Sequence, residues 1–470
     1  MTGRGRMAWR LGWLVAATLA LMAGCATGTP APDRTGRSAT TSAPAAPAAA
    51  PVTLPPAPSG RPAAGLVGTV GSEPGSISLA RLDPATLRPL PGRQVKLDVN
   101  MVGWSVSPDR SLALVGDGNE TGLVQVVDLG AMRLLRTIPV ELGGSTLASA
   151  WLGARRVAVA VTDPAGPLQV AVLDPVAGRV LARHRVTGEV GAVGHFPGGM
   201  VLLLTPAQAI GPARLAVVSR QGTVRTVTLD RVSAGFRPPK VEGPDAVGRQ
   251  RGAGLAVDPA GRRAFVVAPG GPVAEVGLDD LRVGYHDLDR PTSPLARFAR
   301  WLLPAAEAKA VTGPWRQARW VGGGLLAVAA SEQRVRRDAN DELQQQELVS
   351  GVQLIDTGRW RAYDLHPGAS RVDYEGGRLL LTGGTWESGT TSATPRGVGL
   401  TVYGPGDRRP LHLLGHRFVQ QATVRGDLGY LWLAGPDHSG YAVVDLRDGR
   451  TLHTGDGDPP TLLLGDAASW

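Results

Sequence analysis

From Gly65 onward, apolar runs of four to seven residues alternate with polar turns built from Gly, Pro and Asp. Runs this short, bounded by turn-formers and rich in Val, Leu and Ala, predict strands joined by hairpins. They come as two kinds of pair. Inner pairs occupy 102–116, 147–161, 190–205, 254–268, 316–330, 370–383 and 420–435. Outer pairs alternate with them, at 77–90, 124–138, 168–186, 215–229, 273–288, 352–365, 400–414 and 442–455.

One inner and one outer pair make a four-stranded unit, and units repeated at this spacing predict an all-β fold, a β-propeller. A lone unit cannot bury both faces of its sheet, so the array is expected to close into a ring. Seven inner pairs lie between eight outer pairs, with GLVGTV (65–70) before the first and TLLLG (461–465) after the last. With TLLLG as the innermost strand beside GLVGTV, one blade is shared by both termini and the count is eight. Seven is the alternative, reached if one strand pair is not a blade.

Three stretches interrupt the repeat. Residues 230–252 are a polar, Pro- and Arg-rich connection, and 331–350 are highly charged, expected to extend a hairpin or to form a short helix. Between Pro294 and Lys309, apolar residues at Leu295, Phe298 and Leu302 have a helical spacing until Pro304 interrupts it.

The N-terminus has a different pattern. Arg4, Arg6 and Arg10 precede a continuous apolar run, Leu11 to Gly24, that ends at Cys25. The run is too short to span a bilayer as a stable helix and suits the apolar core of a secretion signal. Leu21-Met22-Ala23-Gly24-Cys25 resembles the lipobox of bacterial lipoproteins, with Met22 where Leu is usual. That resemblance implies cleavage after residue 24 and a lipid on Cys25, holding the protein to the cell membrane outside the cytoplasm. Residues 26–63 carry nine prolines among Ala, Thr and Ser, too little apolar surface to offset the entropy of ordering. The expected organisation is a signal peptide at 1–24, a lipidated cysteine and tether at 25–63, and the propeller at 64–470.

Composition narrows the function further. The chain has 470 residues, and its one cysteine excludes an internal disulfide framework and a Cys-based zinc cluster. Lysine occurs only at Lys96, Lys240 and Lys309, so arginine carries the formal net charge of +9. Those arginines are scattered through turns, without a basic stripe interleaved with aromatics, which points away from nucleic acid. A positive exterior suits anionic lipid heads or wall polymers instead.

Candidate chemistry is sparse. Asp128, Asp174, Asp356 and Asp445 each follow the apolar run of an outer pair, and once-per-blade recurrence reads as a turn device in which the carboxylate bonds backbone amides. Asp338, Asn340 and Glu342 imitate the opening of a calcium loop, but Leu343 and Val349 stand where that loop needs Gly and Glu. GDGDPP (455–460) is a turn with two carboxylates and no further ligands. His412 and His416 are four apart in a strand-rich segment, where that spacing does not share a face; His195 reads as a loop histidine. No nucleophile elbow, phosphate-binding loop or H-E-x-x-H helix occurs, and Gly322-Gly323-Gly324 reads as a hairpin turn. Trp104, Trp151, Trp315, Trp320, Trp360, Trp386 and Trp432 lie in or beside strands, where packing between blades is expected and stacking on sugars is the alternative. No catalytic, cofactor or metal residue is assigned.

The turn-and-strand phrases Val106-Ser-Pro-Asp-Arg-Ser-Leu-Ala-Leu-Val115 and Val257-Asp-Pro-Ala-Gly-Arg-Arg-Ala-Phe-Val-Val267 resemble YVTN-type propeller repeats. Val127-Asp128-Leu129 and Val444-Asp445-Leu446 resemble the strand that follows in those repeats. The pairs at 190–205 and 316–330 lack the Pro-Asp-Gly turn. The resemblance supports the fold and leaves the ligand open. The expected function is a monomeric binding scaffold for an envelope protein or glycan. The alternative is a lactonase-like hydrolase or lyase with catalytic groups from several blades at the central channel.

Overall fold

Within each four-stranded unit, each apolar run pairs antiparallel with the next run along the chain, because a short turn brings neighbouring strands together before any distant pairing can form. The computed structural model describes residues 65–463 apart from 72–76, 100, 119–121, 141–144, 163–166, 238–248, 289–313, 338–342, 389–392, 405–408 and 436–438. The described residues contain strands and turns and no helix, so none is long and apolar enough to cross a membrane. The 294–309 segment, Cys25 with its signal and tether, and the Asp338, Asn340 and Glu342 positions all lie outside the described residues.

The strands form eight sheets, one for each blade, and apart from a hairpin added to one sheet and the innermost strand of blade 1 the strands of each follow chain order from the centre outward. Blade 3 is typical: Ser145–Gly153, Arg156–Thr162, Leu168–Asp174 and Arg179–Val186. Its second strand is buried at every position from Val157 to Val161, since both faces of the sheet are covered by neighbouring blades. Its outer strand alternates exposed and half-buried residues up to the buried Val186 because it faces solvent.

Eight clusters of buried side chains account for the core, one at each boundary between blades. Leu114 and Val126 of blade 2 pack on Val157 and Val159 of blade 3; Phe265 of blade 5 packs on Leu326 and Val328 of blade 6. The last cluster joins Leu66, Ala80 and Leu82 of blade 1 to Tyr430 and Val443 of blade 8. That contact closes the ring. The chain is an eight-bladed β-propeller.

Closure uses the two ends of the domain. Blade 1 has three strands, Leu66–Val70, Ser78–Leu82 and Val95–Lys96. Its missing innermost strand is supplied by Thr461 to Leu463: Thr69 N donates to Thr461 O at 3.0 Å, Leu463 N donates to Val67 O at 2.9 Å, and Gly68 bridges Leu462. This is the split blade expected from GLVGTV and TLLLG, and it selects eight blades over seven.

The recurrent aspartates are turn devices. Asp128 Oδ1 accepts the amide of Ala131, Asp174 those of Val176 and Ala177, Asp356 those of Gly358 and Arg359, and Asp445 that of Arg447, all at 2.8–3.1 Å. Asp83 and Asp258 do the same in their turns. Four residues after each of these aspartates the backbone turns left-handed, at Leu87, Met132, Gly178, Arg262, Trp360 and Gly449. Four of those six are not glycine, a conformation that costs about 1 kcal/mol each and that the aspartate's hydrogen bonds offset.

Candidate binding face and central channel

In a blade whose strands run up and down, the link from second to third strand and the link to the next blade leave on one face. The first-to-second and third-to-fourth links leave on the other. The second face, here the turn face, carries the tight aspartate turns. The first face is built out, and only at some blades.

In blade 4 the outer strand runs from Val224 to Arg237, past the third strand of Ile210–Val218, and Arg249–Arg251 pairs with its end as a fifth strand. Residues 230–237 and 249–251 of the 230–252 connection are therefore strand, and 238–248 lies outside the described residues. In blade 6 the second and third strands reach from Leu325 to Arg337 and from Leu343 to Asp356, paired as far as Arg337 and Leu343. The 331–350 segment extends a hairpin, the first of its two expected forms.

Blade 7 adds a hairpin between its second and third strands, Gly384–Ser388 and Ala393–Gly397. It leaves blade 7 and pairs with blade 6, Gln345 opposite Ser388 and Glu347 opposite Trp386. The result is a four-stranded sheet over the boundary between blades 6 and 7. The exit from blade 7 needs Gly383 (φ 87°) and Gly384 (φ 145°), since a side chain at either would collide with Ser370 or with the Arg396 carbonyl. The base is fixed by Gly383 N to Val419 O at 3.0 Å, Val398 N to Gly383 O at 3.1 Å and Gly399 N to Arg417 O at 3.0 Å.

The channel side is polar in one sector. The innermost strands of blades 6, 7 and 8 are Trp315–Gly322, Arg371–Glu375 and Phe418–Arg425. Arg319 reaches across from blade 6 to Asp373, Nη2 to Oδ1 3.0 Å. Glu375 Oε2 accepts the Thr423 hydroxyl at 2.6 Å and the Val424 amide at 2.7 Å from blade 8. Gln317 Oε1 accepts the Val372 amide at 3.1 Å. Burial pushes both carboxyls up from their ordinary values; Arg319 opposes the shift at Asp373, and the Thr423 and Val424 hydrogen bonds oppose it at Glu375. These residues act as struts between blades and hold two carboxyl groups with raised proton affinity near the axis. Sequence reasoning missed them. The signal was present in Arg371-Val-Asp-Tyr-Glu375, where charge alternates along an innermost strand, but the partners are 54 and 48 positions away.

The histidines and tryptophans are dispersed. His412 Nδ1 lies 3.0 Å from the Thr401 hydroxyl. Among the described residues no group of three or more His, Cys, Asp or Glu could hold a metal ion. Trp320 stacks on Phe265 at 5.4 Å, and Trp360 stacks on His286 at 3.6 Å across the blade 5–6 boundary. Trp151 is buried between blades 2 and 3. Trp315 is the one tryptophan among the exposed large apolar residues described.

His366 ties the built-out face to the ring. Its Nδ1 accepts the amides of Gly368 (3.1 Å) and Ala369 (3.0 Å) in the link from blade 6 to blade 7, a role open only to the unprotonated nitrogen. Burial, with a smaller contribution from nearby His412, holds the imidazole below its ordinary value. As pH falls below about 6.5 the unfolded chain takes up the proton first, so this contribution is full above that pH and is lost as pH falls through the lower folded value. His366→Asn keeps an acceptor that does not titrate. Its thermal midpoint is expected to fall less than the parent's between pH 7.5 and 5.5, about 1 pH unit to either side of that ordinary value. Equal falls would contradict the assignment.

No protein-family model matches the chain. No curated protein is similar to it. Solved structures are. The dihydro-heme d1 dehydrogenase NirN, in complex with DHE, is 13% identical with a TM-score of 0.51, over 89% of this chain and 77% of that one. The computationally designed protein Ika8 is 12% identical, TM-score 0.45, over 78% and 91%. The β-propeller domain of Myceliophteria thermophila Cps50 (Swd1) is 10% identical, TM-score 0.38, over 77% and 88%. At such identities the likeness to NirN is one of fold alone. The fold is a propeller.

Proposed function

We propose that this chain is a bacterial lipoprotein of the YVTN-repeat kind, held to the outside of the cell membrane through Cys25. Its propeller serves as a scaffold that binds an envelope protein or glycan. One observation carries the binding role: the added strands of blades 4, 6 and 7 all rise on the same face, and two of these additions pair with each other. Ring closure does not require them, because the other blades close without them. A folded addition confined to one face supplies a surface rather than a core. The lipobox-like segment and the Pro-rich tether support the anchor.

The hydrolase or lyase reading rests on Asp373 and Glu375, whose raised proton affinity suits acid–base chemistry. Their known contacts are the inter-blade struts, so binding stands first.

The test is cross-linking in intact envelopes. A photoreactive residue at the exposed Arg396, on the inserted hairpin, is expected to trap a discrete partner; one at Arg359, on the turn face, is not. Joining Ser331 to Val349, which face each other across the strands, through a two-residue turn is expected to abolish the adduct while the thermal midpoint stays within about 5 °C. Cys25→Ser is expected to move the protein from the membrane pellet to the soluble fraction. Equal adducts from both positions, or none from Arg396, would refute the binding face, and a Cys25→Ser protein still in the pellet would refute the anchor.

A further inference from the structure

The turn face carries many arginines, and many of them are paired. Arg133 pairs with Asp128, Arg262 with Asp279, Arg263 with Asp258 and Glu275, Arg282 with Asp280, Arg378 with Asp427, and Arg447 with Asp445. Between blades 3 and 4 the pattern changes. The first turn of blade 3 is Gly153-Ala154-Arg155-Arg156, and the last turn of blade 4 is Ser219-Arg220-Gln221-Gly222, with no carboxylate in either. Arg155, Arg156 and Arg220 are exposed, and among the described residues their guanidinium groups have no ion pair or hydrogen bond.

These three arginines, with Gln221, rim a shallow open notch of about 390 Å³ whose floor is Leu152, Gly153 and Ala154. Arg220 crosses the blade boundary to reach it. Its aliphatic stem runs over Gly198 of blade 4, at 3.4–3.5 Å from where a Cβ there would stand, and its Nε lies 4.0 Å from the Cβ position of Gly153 in blade 3. A side chain on Gly153 would occupy the floor of the notch.

We propose that this notch binds a phosphate group. Three arginines and one glutamine line a single concavity, with no carboxylate in its lining to compete for them. Guanidinium groups match phosphate oxygens in bidentate geometry. Three like charges around one notch repel one another, and a bound anion relieves that repulsion. The same chemistry is offered by a free phosphate and by the head group of an anionic lipid. The site lies on the turn face, opposite the built-out face, and does not depend on what that face binds.

The full chain carrying Cys25→Ser, so that no attached lipid contributes, is titrated with inorganic phosphate by calorimetry. It is also sedimented with phosphatidylcholine vesicles with and without phosphatidylglycerol. Saturable binding is expected in at least one arm. Phosphate alone would identify a soluble phosphate ligand, and phosphatidylglycerol vesicles alone a lipid head group. Replacing Arg155, Arg156 and Arg220 together by Gln is expected to weaken binding about tenfold or more. Gly153→Leu, which adds apolar bulk in the notch without changing charge and whose Cβ meets nothing closer than Arg220 Nε at 4.0 Å, is expected to weaken it as well. Replacing Arg88, Arg361 and Arg409 by Gln removes the same charge from the turn face elsewhere and is expected to leave affinity within about twofold. Absence of binding in both arms would overturn the site. So would equal losses from the two triple variants, or parental affinity in Gly153→Leu.

Discussion

Ending the chain at Pro460 is expected to lower the free energy of unfolding by about 5 kcal/mol, seen as a fall in the urea midpoint. The deletion removes the innermost strand of blade 1. Lost with it are the two backbone hydrogen bonds between Thr69 and Thr461 and between Leu463 and Val67, and the bond from Thr461 N to the Thr69 hydroxyl at 2.8 Å. Leu463, 6% exposed in the cluster between blades 1 and 2, is lost too, as is Leu462, which packs on the cluster between blades 8 and 1. Leu66–Val70 would then be a bare edge at the centre of the ring, a template for pairing with another chain. Self-association is therefore the second expected readout, by light scattering. Ending the chain at Leu463 keeps every one of these contacts and serves as the control. A midpoint unchanged by ending the chain at Pro460 would show that the ring is not held by this strand.

Phe265→Ala is expected to cost about 4 kcal/mol. The ring is fully buried, stacked on Trp320 at 5.4 Å and tilted against Trp360 at 6.3 Å. It is the largest fully buried side chain described, and it sits where blade 5 meets blade 6. Its loss leaves a cavity that cannot collapse, because the strands on both sides are held in their own sheets. Arg263, over the same ring at 5.4 Å, would lose its aromatic support while keeping Asp258 and Glu275. Phe265→Leu, retaining most of the volume, is expected to cost about 1 kcal/mol. Denaturant unfolding followed by tryptophan emission measures both. Equal stabilities for parent and Ala variant would mean that the blade 5–6 seam draws its stability from elsewhere.

Much of the fold was legible because its signals are local. A strand run such as Arg156–Thr162 and its turn partner Leu168–Asp174 lie close in sequence, so period and turn chemistry suffice to pair them. Even ring closure was legible, since counting pairs left GLVGTV without an inner neighbour and TLLLG without a blade. The inserted hairpin was not. Residues 384–397 are rich in Gly, Ser and Thr and carry no apolar run to mark them as strands, and their pairing with 345–347 of another blade is made through backbone atoms that every sequence possesses. The arginine notch was equally hidden: Arg155-Arg156 and Arg220 read as ordinary turn residues until two blades set them side by side.

By itself the sequence determined that this protein is a repeated array of four-stranded units, that its recurrent aspartates build turns, and that the two ends of the array meet. The first two follow from spacing within a few tens of residues, and the third from counting strand pairs along the whole array. Only the tertiary structure decided which face is built out, that blades 6 and 7 share a sheet above the ring, and which charged groups stand together. Arg319 with Asp373, Glu375 with Thr423, and Arg155 with Arg220 are neighbours because separate blades pack edge to edge around one axis. Proximity across that packing is set by the closed ring, and a linear pattern carries no record of it.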